Sequence, residues 1–477
     1  MRKRDRYGIL LVMLAFVLLG FPQAQAQDTA KVLTLQDFHR LILQHHPIAS
    51  QAALLTEQAR QELRIARGTM DPVISSKLYR KEYGGKEYYN LWSNKLRVPL
   101  WFGPELVAGF DRNTGQYLNP ENTMPPDGLS YAGIAVPLGQ GLFIDERRAT
   151  IRQAKLMQGI AEAERVKLIN KLLLEATKDY WEWLLQYRTA QVYQEAQELT
   201  EFRLRAVRSR VLEGDLAAID TVEALMALQE RQLLLQQAQL ELQNAQLQVA
   251  VHLWAEDQVP LELQAHTIPT LTGIDASTVS AQELQSLLAE ARSSHPELQK
   301  LSLKGEQLQI ERTFAANKLL PKLNAEYNVL QRDFYLQPDI MEQDHLQGNY
   351  KLGLSFSLPI FLREERGKLQ LTKAKLQANS LELVQQTREV ENAVLLAYNE
   401  LQALESQLQL QEQMVANALT LRNGEQIRFE NGESSLFLIN SREAKLLEAQ
   451  VKLYTLRTKY AKARTYLYWA AGEIPVE

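Results

Sequence analysis

The sequence predicts an α+β fold in which very long α-helices form a coiled-coil barrel and amphipathic strands enter a membrane as a β-barrel. Glycine and proline are absent from two stretches, Ile160 to Glu213 and Lys368 to Asn423. Both are rich in Leu, Gln, Glu, Ala and Lys, which lose little conformational entropy on entering a helix. The second stretch lies within a helix predicted from Glu364 to the turn at Asn431. Each helix would span about 80 Å. Helices of that length need partners of equal length, which favours one elongated body over several globular domains.

The two long helices belong to two tandem repeats. Four matched features mark the copies: His46-Pro47 with His295-Pro296, Pro72 with Pro321, Val136-Pro137-Leu138 with Leu358-Pro359-Ile360, and Gly214 with Gly432. The offset between copies becomes shorter after the second pair, so copy one carries an insertion between about Tyr88 and Asp127. Each copy is expected to contain a leading helix, extended segments, a long helix, a tight turn and a returning helix.

The predicted domains follow from this repeat. Residues 1–26 are predicted to be a signal peptide, residues 27–254 repeat 1, residues 255–280 an inter-repeat link and residues 281–477 repeat 2. The predicted leading helices run from about Thr34 to Arg67 and from about Ala281 to Lys318.

The amino terminus has the pattern of a secretory signal. Four basic residues precede an apolar run from Tyr7 to Phe21, and the small residues Ala24 and Ala26 mark a cleavage site. The run is short for a membrane anchor, the alternative interpretation. Removal of residues 1–26 changes the net charge from -4 to -7, which gives no basic field for nucleic acid. The chain contains no cysteine.

Several segments alternate with the period of two that is typical of a strand with one apolar and one polar face. Residues 322–329 and 350–358 show this most clearly, and residues 74–79 and 131–138 show it more weakly. The insertion holds two further candidates, residues 92–100 and 106–110, near rings suited to a membrane interface at Tyr88, Tyr89, Trp101 and Phe102. The insertion either adds two strands or forms an external loop.

Two environments are open to these strands at this point. The apolar face either packs on a soluble core or faces lipid. Four to six strands cannot close a barrel alone, and lipid does not tolerate an open sheet edge. If the strands lie in a membrane, several chains must therefore contribute to one barrel.

The returning helix of repeat 1 has two apolar seams. Leu228, Leu235, Leu242 and Val249 recur every seven residues, as do Leu233, Leu240 and Leu247. The two rows lie about 140° apart around a helix. Because a pairwise coiled coil needs only one seam, we expect each helix to contact a neighbour on both sides, as in a cylinder. A helical bundle with a dry core is the alternative.

Taken in order, these features resemble the TolC-type outer-membrane efflux protein family. The resemblance is carried by the tandem copies, the His-Pro pairs, the strand ends at Val136-Pro137-Leu138 and Leu358-Pro359-Ile360, and the two glycine turns. It implies a homotrimer in outer-membrane lipid, with a helical tunnel that extends into the periplasm. It also implies two partners, a periplasmic adaptor (membrane fusion) protein and an inner-membrane pump. The chain would be a passive export duct.

The resemblance also suggests site residues. Family members close the tunnel near the two turns, where Asp220 could pair with Arg210 or Arg428. The acidic residues that some relatives carry after the second turn are replaced here by Phe437, Leu438 and Asn440, and Glu430 and Glu433 could substitute for them. The turns themselves would dock the adaptor, and the residues concerned are Gly214, Asp215, Leu216, Ala217, Gly432, Glu433, Ser434 and Ser435.

The sequence contains no zinc-binding histidine motif, phosphate-binding glycine loop or nucleophile elbow. We therefore expect no catalytic residues, no metal and no cofactor. A secreted helical-bundle tethering protein without a pore is the alternative function. A periplasmic enzyme has no group of residues in its favour.

Overall fold

The computed structural model describes residues 31–264, 266–270, 278–332, 348–472 and 474. The predicted signal peptide and its cleavage residues lie outside the described residues. Repeat 1 contains β1 (Lys31–Leu33), α1 (Leu35–His45), α2 (Pro47–Gly68), β2 (Val73–Tyr83), β3 (Lys86–Pro99), β4 (Glu105–Thr114), β5 (Leu129–Pro137), α3 (Glu146–Leu212) and α4 (Ala218–Ala250). The link and repeat 2 contain β6 (Thr267–Pro269), α5 (Ala281–Ser294), α6 (Pro296–Asn317), β7 (Lys322–Arg332), β8 (Tyr350–Ser357), α7 (Arg363–Glu430) and α8 (Leu436–Ala471).

Each leading segment is two helices, so the prediction of one continuous helix was wrong. The break lies at the His-Pro pair, because proline has no N–H and pushes the preceding residue out of the helical region. His46 is extended, with ψ 132°, and its Nδ1 accepts a hydrogen bond from the Ile48 N–H at 3.1 Å. His295 caps α6 in the same way, accepting from the Glu297 N–H at 3.3 Å. Burial lowers the pKa of both histidines, which favours the neutral ring that can accept this bond.

Helix α7 matches the helix predicted from Glu364 to the turn at Asn431, and α3 begins earlier than the glycine-free stretch at Ile160. Helix α3 has 67 residues and α7 has 68, so each spans about 100 Å. Helix α7 continues through Gly367 and Gly424 because packing against neighbouring helices outweighs the roughly 1 kcal/mol propensity cost of a glycine.

The helices lie four abreast in two stacked layers. Next to the sheet, α2 packs on α3, α3 on α6, and α6 on α7. Towards the turns, α4 packs on α3, α3 on α8, and α8 on α7. Helices α2 and α4 thus share one side of α3, and α6 and α8 fill the space between α3 and α7. The predicted stacking of shorter helices along the long ones is confirmed.

The predicted seams differ in their surroundings. The first seam of α4 is buried or half-buried, with Val249 fully buried. Its second seam is exposed, with Leu233 67% and Leu247 66% accessible. The seam of α8 at Leu446, Leu453, Tyr460 and Leu467 is buried in full. Within one chain, α4 is therefore covered on one side only.

The middle of the chain is held together where the helix layers meet. Strands β1 and β6 pair in parallel, which ties the start of repeat 1 to the link. The Tyr180 hydroxyl donates to the Leu33 carbonyl at 2.9 Å and accepts from the Thr270 N–H at 3.0 Å. Tyr180 and Trp183 lie in the same apolar core as Phe38 and Ile42, so the tryptophan belongs to the packing of the core.

The second sheet contains six strands in the order β2-β3-β4-β5-β7-β8, and every neighbouring pair is antiparallel. Both candidate strands in the insertion are present, as β3 and β4. The insertion therefore adds two strands to the sheet, which decides between the two possibilities left open by the sequence. No described helix is both long enough and apolar enough to cross a membrane.

Candidate functional site

The six-stranded sheet has two faces of opposite character. Alternate residues along the paired strands place the following side chains on one face: Ile74, Leu78, Trp92, Leu96, Val98, Leu106, Ala132, Ile134, Tyr327, Val329, Leu352, Leu354 and Phe356. Much of this apolar face is open, with Ile74 80% and Leu354 71% exposed, whereas Val329 is only 3% exposed. No described helix covers the exposed part, so this part does not pack on a soluble core within the chain.

The opposite face is polar and the sheet curls towards it. It carries Lys77, Lys95, Arg97, Asp111, Tyr131, Glu326, Asn328 and Lys351. The Lys95 Nζ lies 3.6 Å from the Glu326 Oε1, although β4 and β5 separate their strands. On a flat sheet their backbones would be about 14 Å apart. The contact therefore requires strong curvature, with the charged face concave.

Two glycines accommodate the crowding on this concave face. A Cβ at Gly109 would lie 2.5 Å from the Tyr131 hydroxyl, and one at Gly133 would lie 2.4 Å from the Asn328 Oδ1. The glycines thus let Tyr131 and Asn328 lie flat against the neighbouring strands. A larger residue at either position would push these side chains away from the sheet.

The opposite end of the molecule is formed by two helix turns, residues 213–217 and 431–435, which we call the turn end. Gly214 and Gly432 have φ values of 85° and 77°, the left-handed region that glycine enters without strain. A buried cluster joins the two hairpins just behind the turns, and its members are Leu204, Val207, Ala224, Leu228, Leu436 and Ile439. The turn end is therefore one packed unit within the chain.

Most of the predicted docking residues are exposed. Gly214, Asp215, Ala217, Gly432, Glu433 and Ser435 are accessible, whereas Leu216 and Ser434 are half-buried. Leu216 packs against the apolar cluster, and the Ser434 hydroxyl donates to the Glu425 Oε1 at 2.5 Å. These two residues therefore hold the turns in place, while the others present backbone and small side chains to the surroundings.

A buried ion pair connects the two hairpins. The Arg203 guanidinium on α3 donates two hydrogen bonds to the Glu443 carboxylate on α8, one of them 2.5 Å long. Both side chains are only 9% exposed. The same guanidinium lies 3.4 Å from the Asn440 Oδ1. Asn440, a predicted gate residue, thus adds a hydrogen bond to the ion pair that joins α3 and α8.

A second charged cluster lies next to the turn of the α7-α8 hairpin. The Glu425 carboxylate, 7% exposed, accepts from Ser434 and lies 3.7 Å from the Arg442 Nε and 3.9 Å from the Arg428 Nη1. Arg428 is therefore held by its own helix. It can shift without breaking the shorter contact between Glu425 and Ser434.

The remaining predicted gate residues have local partners. Asp220 is half-buried, and its Oδ2 accepts from the Ala217 N–H at 3.1 Å, which caps the start of α4. Arg210 lies over the Phe429 ring at 5.9 Å, and Glu430 accepts from Gln426 at 2.6 Å. Among the described residues, no ion pair joins Asp220 to Arg210 or Arg428. The gating role of these residues stays a prediction that concerns contacts between chains.

Sequence reasoning missed Arg203, Glu443, Glu425 and Arg442. A pattern was available for two of them. Glu443 falls between Ile439 and Leu446 at the three- and four-residue spacing of a buried stripe, and Arg203 stands beside Leu204 in the stripe that continues to Val207. A charged residue in an apolar stripe is rarely buried without an opposite charge. The identity of the partner requires the packing of α3 on α8.

The comparisons with known proteins agree with this architecture. Residues 287–473 match the family model described as outer membrane efflux protein. The fold is that of outer-membrane channels of known structure. The open-state MtrE channel of Neisseria gonorrhoeae has a TM-score of 0.65 at 15% identity, with 92% of this chain and 88% of that chain covered. No curated protein sequence is significantly similar to the chain.

Two further channels have the same fold. The CmeC outer membrane channel of Campylobacter jejuni gives a TM-score of 0.63 at 15% identity, covering 92% of this chain and 85% of that chain. The outer membrane protein VceC of Vibrio cholerae gives 0.60 at 16% identity, covering 92% and 96%. The resemblance to the TolC-type outer-membrane efflux protein family is thereby confirmed, as is the predicted α+β channel fold.

Proposed function

We propose that this protein is the outer-membrane channel of a tripartite efflux or type I secretion system. It would act as a passive duct for export across the periplasm and outer membrane. The observation that carries the proposal is the two-faced sheet, which continues directly into a wall of helices about 100 Å long.

The sheet supports the membrane part of the proposal. Exposed Ile, Leu and Phe side chains on its convex face lower the free energy when they leave water, by about 25 cal/mol for each Å² of apolar surface removed. The concave face carries lysine, arginine and carboxylate groups that need water. Lipid outside and a water-filled lumen inside satisfy both faces at once.

The uncovered sides of the chain support a homotrimer. Strands β2 and β8 are the two edges of the sheet, and an open edge is costly in lipid. Helix α4 on one side of the wall exposes Leu233, Leu240 and Leu247. Helix α7 on the other side exposes Leu371, Val384, Leu396 and Leu410. A second copy of the chain, placed so that its α7 meets this α4, covers both apolar surfaces and pairs both strand edges.

We place the gate at the turn end. Opening requires the α3-α4 and α7-α8 hairpins to move apart or rotate. Within one chain, the Arg203-Glu443 pair and the buried apolar cluster behind the turns resist this movement. A periplasmic adaptor bound at the exposed turns would shift the population towards the open arrangement. The transport energy would come from an inner-membrane pump.

The test begins with the mass of the particle extracted by detergent from the outer-membrane fraction. We expect three chains per particle and ion-conducting channels when the particle is inserted into a planar bilayer. A monomer that is soluble without detergent would overturn the proposal and support the secreted helical tether instead.

The gate is tested separately by the Asp220→Ala/Arg428→Ala double variant. If pairs between neighbouring chains close the turn end, single-channel conductance rises. If the current is unchanged, these two residues have no gating role, and the channel assignment is unaffected.

A further inference from the structure

We propose that the outer-membrane barrel of this protein has 18 strands, six from each of three chains, and that its lumen is correspondingly wide. The inference rests on the proposed function, because it takes the trimeric channel as given. It concerns the hairpin of β3 and β4, which we call the extra hairpin because repeat 2 contributes two strands to the sheet and repeat 1 contributes four.

The extra hairpin is integrated into the sheet along its length. Strand β3 pairs with β2 from Val73↔Arg97 to Tyr83↔Lys86, and β4 pairs with β5 from Glu105↔Ala135 to Asp111↔Leu129. An insertion of two strands also preserves the alternating strand directions. Strands β2 and β8 therefore still run antiparallel where neighbouring chains would meet, and the barrel can close.

The base of the hairpin is fixed to the helical wall. Glu105, the first residue of β4, forms an ion pair with Arg147 in the first turn of α3. The Leu100 N–H donates to the Pro104 carbonyl at 2.8 Å and closes the connecting turn. Gly103 in this turn has φ 119°, and a Cβ there would lie 3.2 Å from the Arg148 Nη2. A loop hanging outside the barrel would not need such contacts at the sheet-helix junction.

The hairpin has the composition of a membrane-spanning segment. Its convex face carries Trp92, Leu96, Val98, Leu106, Ala108 and Phe110 and is interrupted by Asn90, Asn94 and Arg112. Its concave face carries Ser93, Lys95, Arg97, Asp111 and Asn113, together with Leu91, Val107 and Gly109. The apolar residues continue the apolar surface formed by Ile134 and Tyr327 on the neighbouring strands. One lipid-facing surface therefore covers all six strands.

Aromatic rings lie at both ends of the hairpin. Tyr88 packs against Tyr83 and Tyr117 at one end, and Trp101 packs against Phe102 at the other, with Trp101 80% exposed. The chain from Tyr88 to Trp101 rises about 33 Å along the barrel axis at a tilt of about 40°. This matches the apolar band of about 25 Å with aromatic girdles on both sides that outer-membrane barrels show.

The strand number sets the pore size. At a strand spacing of about 4.8 Å and a tilt of about 40°, 18 strands give a backbone diameter of about 36 Å, against about 24 Å for the 12 strands that remain without the extra hairpin. The membrane section is then too wide to select cargo by size. Size selection falls to the turn end, where the buried charged clusters lie.

The test uses the absence of cysteine from the chain. Single cysteines are placed in the detergent-extracted trimer at Ser93→Cys on the concave face and at Leu96→Cys on the convex face of the same strand. After reconstitution into lipid vesicles, we expect a charged maleimide to label Ser93→Cys at least tenfold faster than Leu96→Cys. Asn113→Cys and Ala108→Cys provide the matched pair on β4.

A second variant tests the pairing directly. Leu106 and Ile134 are opposite each other on β4 and β5, so we expect Leu106→Cys/Ile134→Cys to form a disulfide within one chain. A trimer in which both faces of the hairpin react equally, or in which this disulfide does not form, would overturn the inference and leave the proposed function standing. A particle that is not trimeric would overturn both.

Discussion

The Arg203-Glu443 pair is the contact whose removal tests the proposed gate at the turn end most sharply. Replacing Arg203 by Met leaves the Glu443 carboxylate, 9% exposed, without its two charge-assisted hydrogen bonds. Breaking a buried pair from one side costs about 3 to 5 kcal/mol because the remaining charge is neither solvated nor paired. For a chain of this length, that loss lowers the melting temperature by about 3 to 5 °C. In the bilayer we expect Arg203→Met to open more often than the wild type.

The double variant separates the effect of the ion pair from the effect of each side chain by itself. Arg203→Met/Glu443→Leu replaces both charges by apolar groups of similar size, which is often neutral for stability. We therefore expect its melting temperature to return to within about 1 °C of the wild type. Arg205→Met, at an exposed position on the same helix, is the control and should change stability by less than about 0.5 kcal/mol.

The assays are thermal melting in detergent, followed by circular dichroism, and open probability in planar bilayers. Two results would refute the reasoning. In the first, Arg203→Met melts like the wild type, which means that Glu443 finds water or another partner. In the second, the double variant loses as much stability as the Arg203→Met and Glu443→Leu single variants together, which means that the two side chains are not coupled.

Three other predictions concern assembly, pH and the turns. Leu240→Glu on the exposed seam of α4 should convert the trimer to monomers, as measured by light scattering, whereas Gln239→Glu next to it should leave the trimer intact. If Leu240→Glu remains trimeric, the interface between chains lies elsewhere. Burial lowers the pKa of His39 to about 4, so the unfolded chain binds a proton at a higher pH than the folded chain. The free energy of unfolding should therefore fall by up to about 1.4 kcal/mol per pH unit from about pH 6.5 towards pH 4. This slope should flatten in His39→Gln, and an unchanged slope would contradict the prediction. Gly432→Ala should cost only about 1 to 2 kcal/mol of stability, because no atom lies within 4 Å of the added Cβ. A trimer that melts normally but fails to bind an adaptor would indicate that the turn geometry serves docking. Normal adaptor binding would exclude this role.

The pH prediction depends on a tautomer that the structure defines. The Thr177 hydroxyl has one proton, which it donates to the Leu173 carbonyl at 2.6 Å. The His39 Nε2, 2.7 Å from the same oxygen, must therefore donate to it. The ring is neutral and buried, so protonation of its other nitrogen adds a charge in the interior of the helical layer.

Periodicity and repetition in the sequence predicted the main elements of this chain. The long helices, the turns at Gly214 and Gly432 and the alternating strands follow from local backbone preferences and from the spacing of apolar residues, which one chain segment carries by itself. The break at each His-Pro pair could also have been predicted from the sequence, because proline restricts the backbone of the preceding residue wherever it occurs. The helix predicted from Glu364 to the turn at Asn431 already includes Gly424, as α7 does.

The tertiary structure decided which side chains meet. Arg203 and Glu443 lie far apart in sequence and are joined because α3 packs on α8, and neither residue specifies the other. The place of the insertion was visible from the shift between repeats, but its pairing between β2 and β5 depends on hydrogen bonds between distant strands. The sequence by itself thus determined the elements and their amphipathic faces. Only the tertiary structure determined the partners of the buried charges and the number of strands in the sheet, because both depend on contacts between segments that local preferences do not describe.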